Sequence, residues 1–153
     1  MILGVRHVGF VVKSIDNSRI FYEALGFVPE NDGTEESGVD ISNLVGINNV
    51  RIKTLKLKLK ILDSINGNGC AFRLELVEYI SPISFTETPQ NTNNIVSKGH
   101  LCFSVNDIRE ATDRIIALGG NAPYKPVLDS QGIPRIIYVT DPDGVPIELN
   151  SNT

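Results

Sequence analysis

The strongest constraint in this sequence is an internal repeat at a spacing of 93 residues. A shift by this spacing places seven residues on residues of the same type, without any gap. The matched residues are His7, Phe10, Val12, Ile15, Ala24, Leu25 and Gly26 in the first copy, and His100, Phe103, Val105, Ile108, Ala117, Leu118 and Gly119 in the second. Because a strand, a helix and a helix stop repeat together, the pattern indicates a duplication, and both halves should share one fold.

The spacing of apolar residues predicts a strand, then a helix, then further strands in each half. In the first half a strand at Val5–Val12 precedes a helix that Ser14 or Asp16 caps and Gly26 ends. The other predicted elements of this half are a loop at Glu30–Ser37, a short helix within Val39–Ile47, and strands at Val50–Ile61 and Ala71–Ile80 joined by the turn-rich segment Asp63–Gly69. Those of the second half are a strand at Gly99–Val105, a helix at Asp107–Leu118 and strands near Tyr124–Leu128, Pro134–Thr140 and Val145–Leu149, with a tight turn at Asp141–Gly144.

The boundary between the halves is predicted from composition. Residues 81–97 are rich in Ser, Thr, Pro and Asn, which is typical of a linker. The expected organisation is therefore a single domain over residues 1–153, with module one at about 1–80 and module two at about 98–153.

Charge and composition limit the classes of partner. The net charge of −4 and the pI near 5.1 provide no overall basic surface for nucleic acid. The lysines between Lys53 and Lys60 alternate with apolar residues, as on a strand with one solvent-exposed face. Neither a signal peptide nor an apolar run of membrane-spanning length is evident, so we expect a cytoplasmic protein without membrane partners. Cys70 and Cys102 are too few for a disulfide framework and are expected to be buried, reduced thiols.

Four polar residues stand on the predicted non-core faces of strands, two in each half. They are His7 and Glu75 in the first half and His100 and Glu148 in the second. Imidazole nitrogens and carboxylate oxygens suit Zn, Ni, Co, Fe or Mn, and four such ligands leave room for water or substrate. The sequence therefore predicts a site for one divalent metal ion. Glu78 is the alternative to Glu75, although it should face the other side of the same strand.

Five segments of the chain resemble the vicinal oxygen chelate superfamily, which includes glyoxalase I, methylmalonyl-CoA epimerase, fosfomycin-modifying enzymes, extradiol dioxygenases and bleomycin-binding proteins. These segments are Arg6–Val12, Phe21–Phe27, Leu74–Leu76, Gly99–Val105 and Asp141–Leu149. The resemblance implies an α+β fold, in which two βαβββ modules form a curled mixed sheet around a metal-binding cleft. By position, His7, Glu75, His100 and Glu148 match the His, Glu, His, Glu ligand set of glyoxalase I-like members, whereas epimerase-like members tend to have Gln at the second place.

The function that these residues favour is that of a metal-dependent lyase or isomerase acting on a small oxygenated substrate. A metal would polarise a carbonyl, and a glutamate, Glu148 or Glu75, would abstract and return the proton beside it. Arg73 and Tyr138 are expected to hold the substrate. Two alternatives stay open, an iron-dependent dioxygenase using two His and one carboxylate, and a non-catalytic binder of a drug or metabolite. A homodimer is expected, and the cleft can belong to one chain or be shared across the dimer.

Overall fold

Two compact units make up the computed structural model, Met1–Thr86 and Glu87–Thr153. The structure describes residues 1, 4–59, 72–85 and 98–151. Cys70, the predicted turn at Asp63–Gly69 and most of the predicted linker at residues 81–97 lie outside these ranges.

The first unit contains one mixed sheet and two helices. Its elements are β1 (Val8–Val11), α1 (Ile15–Ala24), β2 (Phe27–Pro29), β3 (Thr34–Ser37), α2 (Val39–Val45), β4 (Arg51–Leu59) and β5 (Phe72–Ser81). The strand order is β1-β5-β4-β2, and β3 also pairs with β4. β1 lies parallel to β5, whereas the remaining pairs are antiparallel.

The second unit repeats this plan with one helix. Its elements are β6 (Leu101–Ser104), α3 (Ile108–Ala117), β7 (Val127–Leu128), β8 (Pro134–Thr140) and β9 (Pro146–Asn150). The strand order is β6-β9-β8-β7, with β6 parallel to β9 and the other pairs antiparallel. The fold is therefore α+β with two βαβββ-like modules and mixed sheets, as the sequence predicts.

The helices begin and end where the sequence predicts. The Ser14 hydroxyl accepts a hydrogen bond from the Asn17 backbone N–H, so Ser14 rather than Asp16 is the N-cap of α1. Asp107 caps α3 by accepting from the N–H groups of Arg109 and Glu110 at 2.7 and 3.0 Å. Gly26 and Gly119 follow the two helices with φ of 98° and 89°, a conformation that glycine adopts without steric cost.

Each core is formed by one face of a sheet and the apolar residues of its helix. In the first unit, α1 contributes Ile15, Phe21 and Tyr22, and β4 and β5 contribute Leu55, Leu57, Leu74 and Leu76. All of these side chains are essentially inaccessible to solvent. In the second unit, the corresponding residues are Ile108 and Ile115 with Ile137, Val139, Ile147 and Leu149. The alternating buried positions of β4, β5, β8 and β9 leave the opposite face of each sheet for polar side chains.

The predicted loop at Glu30–Ser37 is wrong in its second half. Thr34–Ser37 forms β3, which pairs antiparallel with β4 over Thr54–Arg51. All four residues of β3 are exposed, so no apolar alternation marks the strand in the sequence. Its pairing with β4 is accompanied by an ion pair between Glu35 and Arg51, whose oxygen and nitrogen are 3.5 Å apart.

None of the helices in the described part of the chain is long and apolar enough to cross a membrane.

Candidate functional site

The first His–Glu pair lies on the face of the first sheet opposite the core. His7 precedes β1, and Glu75 lies in β5 directly beside Gly9 of the parallel strand β1. His7 Nε2 is 3.1 Å from Glu75 Oε2. Leu74 and Leu76 are fully buried on the other face, so the alternation of the strand directs Glu75 away from the core. The side chains of His7 and Glu75 are 37% and 19% exposed, which leaves both accessible to a ligand.

The second pair has the same arrangement in the second sheet. His100 precedes β6, and Glu148 lies in β9 directly beside Cys102 of the parallel strand β6. His100 Nε2 is 3.5 Å from Glu148 Oε2. Ile147 and Leu149 are buried on the opposite face. The repeat detected in the sequence therefore extends to strand register, because each glutamate occupies the equivalent position of its sheet.

These pairs have the donor chemistry of a divalent metal site. Each offers one imidazole nitrogen and one carboxylate oxygen, the ligand types that Zn²⁺ and other borderline metal ions prefer. Each unit brings two such donors together. Among the residues that the structure describes, no group of three or more His, Cys, Asp or Glu side chains is arranged to hold a metal ion. The chemical types of these donor atoms thus suit a divalent metal ion, and each module holds two of the four predicted ligands.

Tyr138, predicted to hold substrate, lies beside the second pair. It is the cross-strand neighbour of Glu148 in β8 and β9, and its hydroxyl oxygen is 3.3 Å from His100 Nε2. The rings of Tyr138 and His100 meet edge to face with centroids 5.2 Å apart. The strand pairing therefore brings a phenol to both predicted ligands of this module.

The environment of Glu148 favours its carboxylate form. A hydrogen bond from the Tyr138 hydroxyl is the main cause that lowers the pKa of Glu148, and hydrogen bonds from Cys102 and Asn150 and the charge of His100 act in the same direction. Partial burial opposes them. Burial, followed by the hydrogen bond to Glu148 and its charge, raises the pKa of Tyr138. At neutral pH the phenol therefore stays protonated and donates to an ionised Glu148.

Cys102 corrects one prediction of the sequence. It is exposed rather than buried, because it faces the same side of β6 as His100. Its Sγ donates to Glu148 Oε1 over 3.5 Å. Partial desolvation and the neighbouring Glu148 raise the pKa of Cys102, so the group acts as a neutral thiol donor.

Lys56 is a residue of the first site that sequence reasoning missed. It is the cross-strand neighbour of Glu75 in β4, and its Nζ is 3.7 Å from Glu75 Oε1. Lys56 therefore occupies the position in the first sheet that Tyr138 occupies in the second. The alternation of lysines in the sequence predicts that they share one face of β4. It does not predict that Glu75 lies opposite Lys56, because that depends on the register between β4 and β5.

Arg73 and Glu78 have partners that the sequence does not reveal. Arg73, predicted to hold substrate, lies on the same face as Glu75, and its Nε donates to both carboxylate oxygens of Glu30 at 3.2 Å. Glu78, the alternative metal ligand, accepts a hydrogen bond of 2.8 Å from the backbone N–H of Ile15 at the start of α1. Of the two candidate glutamates in β5, the structure brings Glu75 to His7 and Glu78 to the helix terminus.

Solved structures share the fold of this chain. A glyoxalase family protein from Bacillus cereus superposes with a TM-score of 0.79 at 20% identity, covering 99% of this chain and 95% of that chain. A fosfomycin resistance protein from Listeria monocytogenes gives 0.51 at 21% identity, with 100% and 96% covered. Glyoxalase I from Zea mays gives 0.52 at 20% identity, covering 94% of this chain and 43% of that chain. At these identities the likeness establishes the shared fold.

No curated protein sequence matches the chain. A family model does match, over residues 4–149, a range that includes both repeats and both His–Glu pairs. The chain therefore belongs to the Glyoxalase/Bleomycin resistance protein/Dioxygenase superfamily.

Proposed function

We propose that this protein is a divalent-metal-dependent lyase or isomerase of the glyoxalase type. The observation that carries the proposal is the presence of a His–Glu pair at the same register position of each module, His7 with Glu75 and His100 with Glu148. These four residues are the proposed metal ligands. Glyoxalase I among the structural neighbours supports a lyase or isomerase, since the shared fold accommodates that activity.

The metal, when bound by these ligands, supplies Lewis-acid polarisation of a substrate carbonyl. The remaining chemistry belongs to the chain. Glu148 or Glu75 removes the proton beside that carbonyl and returns it to a neighbouring carbon, because a single base must reach both positions. The hydrogen bond from the Tyr138 hydroxyl lowers the pKa of Glu148 and so keeps its carboxylate ionised at neutral pH, the form that a metal ligand or a base requires.

The proposal extends to the assembly in which the ligands meet. The four ligands are supplied within one domain of residues 1–153 or by the two chains of a homodimer. The substrate is a small molecule, and the protein works in the cytoplasm. Arg73 and Tyr138 are the proposed substrate contacts.

Metal content tests the assignment of ligands. The purified protein should hold about one divalent metal ion per set of four ligands, and His100→Ala should abolish binding. Lys125→Ala, an exposed change remote in sequence from the ligands, should leave the metal content unchanged. A folded wild-type protein that takes up none of Zn, Ni, Co, Mn or Fe overturns the proposal.

Proton exchange tests the reaction. Metal-loaded protein in D₂O should catalyse incorporation of deuterium into hemithioacetals or acyl-CoA thioesters, followed by NMR. Glu148→Gln and Glu75→Gln identify the base, since the variant that lacks it should lose exchange while still binding some metal. A protein that binds metal but exchanges no proton in either class of substrate contradicts the proton-transfer step.

A second candidate function is non-catalytic binding of a small molecule. It is supported by the family, whose description includes bleomycin resistance proteins. Metal-free protein that stays folded and binds a hydrophobic or cationic drug with saturation supports this alternative.

A further inference from the structure

Three cationic side chains lie on the same face of the first sheet as Glu75. Lys56 is paired across the strands with Glu75, and Lys58 is paired with Arg73. Side chains of directly opposite residues in an antiparallel pair point to the same face. We call this set, Lys56, Lys58 and Arg73, the basic strip.

The basic strip concentrates positive charge in a chain whose net charge is −4. Arg73 Nε is 3.2 Å from Glu30 Oε2 in a partly exposed ion pair, and Lys56 Nζ is 3.7 Å from Glu75 Oε1. Lys58 is half-buried, and it makes no ion pair with any residue that the structure describes. Within the described ranges, Lys58 is thus the cation of the strip that has no ion-pair partner.

Two features of Lys58 favour the binding of an anion. Lys58 and Arg73 are like charges directly opposite one another, an arrangement that destabilises a strand pair. Partial burial also removes some of the hydration of the ammonium group. A bound anion offsets both costs, because it accepts charge-assisted hydrogen bonds from the ammonium group and weakens the repulsion.

The second module lacks these cations at the equivalent positions. Tyr138 and Glu148 correspond by register to Lys56 and Glu75, and the next pair, Thr140 and Pro146, corresponds to Lys58 and Arg73. The lysine and the arginine are replaced there by uncharged residues. The strip is therefore a feature of module one and not a requirement of the repeated fold.

We propose that the basic strip binds an anionic group of the substrate, a carboxylate or a phosphate, with Lys58 as its principal contact. This inference rests on the proposed function in one respect, namely that the molecule bound beside Glu75 is the substrate. Lys58 is the diagonal cross-strand neighbour of Glu75, and such neighbours are about 7–8 Å apart. The substrate class is thus a small oxygenated acid or phosphate ester whose anionic group lies a few bonds from the reacting carbon.

Anion binding to metal-free protein tests the proposal separately from metal binding and catalysis. Inorganic phosphate and malonate are titrated to millimolar concentrations into ¹⁵N-labelled protein, and amide shifts in β4 and β5 are followed by NMR. We expect saturable shifts with at least one probe, and the probe that binds identifies phosphate or carboxylate as the preferred group. Lys58→Gln should weaken that binding by about tenfold or more, since it removes a charged hydrogen-bond donor.

Two controls make the result specific. Lys58→Arg should retain binding, because it keeps the positive charge, and Lys125→Gln makes the same chemical change at an exposed site in the other unit and should have no effect. The spectrum of each variant reports whether it is folded. Absence of saturable shifts with both probes, or equal affinity in Lys58→Gln and wild type, overturns the proposal whether or not the protein binds metal.

Discussion

Two glutamates of β5 have different roles because they lie on opposite faces of the strand. Glu75 shares its face with the solvent-accessible groups His7 and Lys56, whereas Glu78 points to α1 and accepts from the Ile15 N–H. The first N–H groups of a helix have no partner within the helix, and a carboxylate there also interacts favourably with the helix dipole. The carboxylate of Glu75 therefore belongs to the candidate site, whereas the carboxylate of Glu78 caps a helix terminus.

Alanine substitutions should separate these roles. Glu78→Ala is expected to lower the free energy of unfolding by about 1–2 kcal/mol, because it removes a charged acceptor from a helix N-terminus, while metal binding stays intact. Glu75→Ala should change the free energy of unfolding by less than about 1 kcal/mol, since its pairs are partly exposed, yet it should impair metal binding. Urea unfolding and metal titration measure both effects. Loss of metal affinity in Glu78→Ala alone contradicts the assignment.

At the scale of elements, the end of α3 shows a constraint beyond helix capping. Gly119 has the positive φ that ends the helix, but Gly120 has a different reason to be glycine. The chain leaving α3 runs against β8, where Asn121 and Thr140 exchange two backbone hydrogen bonds. A Cβ atom at Gly120 would clash with the Thr140 carbonyl oxygen and would lie 2.7 Å from Ile115 Cγ2.

Gly120→Ala is therefore expected to destabilise the protein by about 2 kcal/mol or more, because the clash is with backbone and a packed core side chain. Gly99→Ala is the matched control. A Cβ atom there meets no other atom within 4 Å, and Gly99 does not have a positive φ. The substitution should therefore change the free energy of unfolding by no more than about 0.5 kcal/mol. Chemical denaturation of both variants measures the difference. Equal stability of the two variants would show that the helix–strand contact relaxes without cost.

At the scale of the whole molecule, the two modules have the same strand register and different chemistry. Gly9, Glu75 and Lys56 in module one correspond to Cys102, Glu148 and Tyr138 in module two. The His–Glu pair is common to both, while the group across each glutamate differs. The repeat thus preserves the candidate ligands and allows the surrounding residues to diverge between the modules.

Thermal stability should report whether both modules serve one metal ion. A metal that binds only the folded protein stabilises it by about 2.7 kcal/mol at a free concentration of 100 Kd, so its addition should raise Tm. His7→Ala and His100→Ala should each remove this rise, because the proposed site takes ligands from both modules. Scanning calorimetry with and without metal, followed by a chelator, measures the effect. A full rise in either single variant contradicts a site that needs both histidines.

The sequence by itself determined the local plan of this protein. Apolar alternation and helical spacing predict the buried faces, Ser14, Asp107, Gly26 and Gly119 mark the helix ends, and the turn at Asp141–Gly144 forms with Asp141 accepting from the N–H groups of Asp143 and Val145. These features depend on residues near one another in the chain, where a short stretch fixes the backbone preference. The repeat also gave the equivalent positions of His7 and His100, because duplication preserves order and spacing.

Only the tertiary structure decided which polar side chains meet. Four contacts depend on how separate segments of the chain pair and pack. They are those of Lys56 with Glu75, of Tyr138 with Glu148, of Arg73 with Glu30 and of Glu78 with the start of α1. The exposed strand β3 and the exposed thiol of Cys102 also depend on strand pairing and not on the local sequence. Hydrogen bonds between strands set the register. Alternation within a single strand predicts which residues share a face, but it does not predict which residues of the next strand lie beside them.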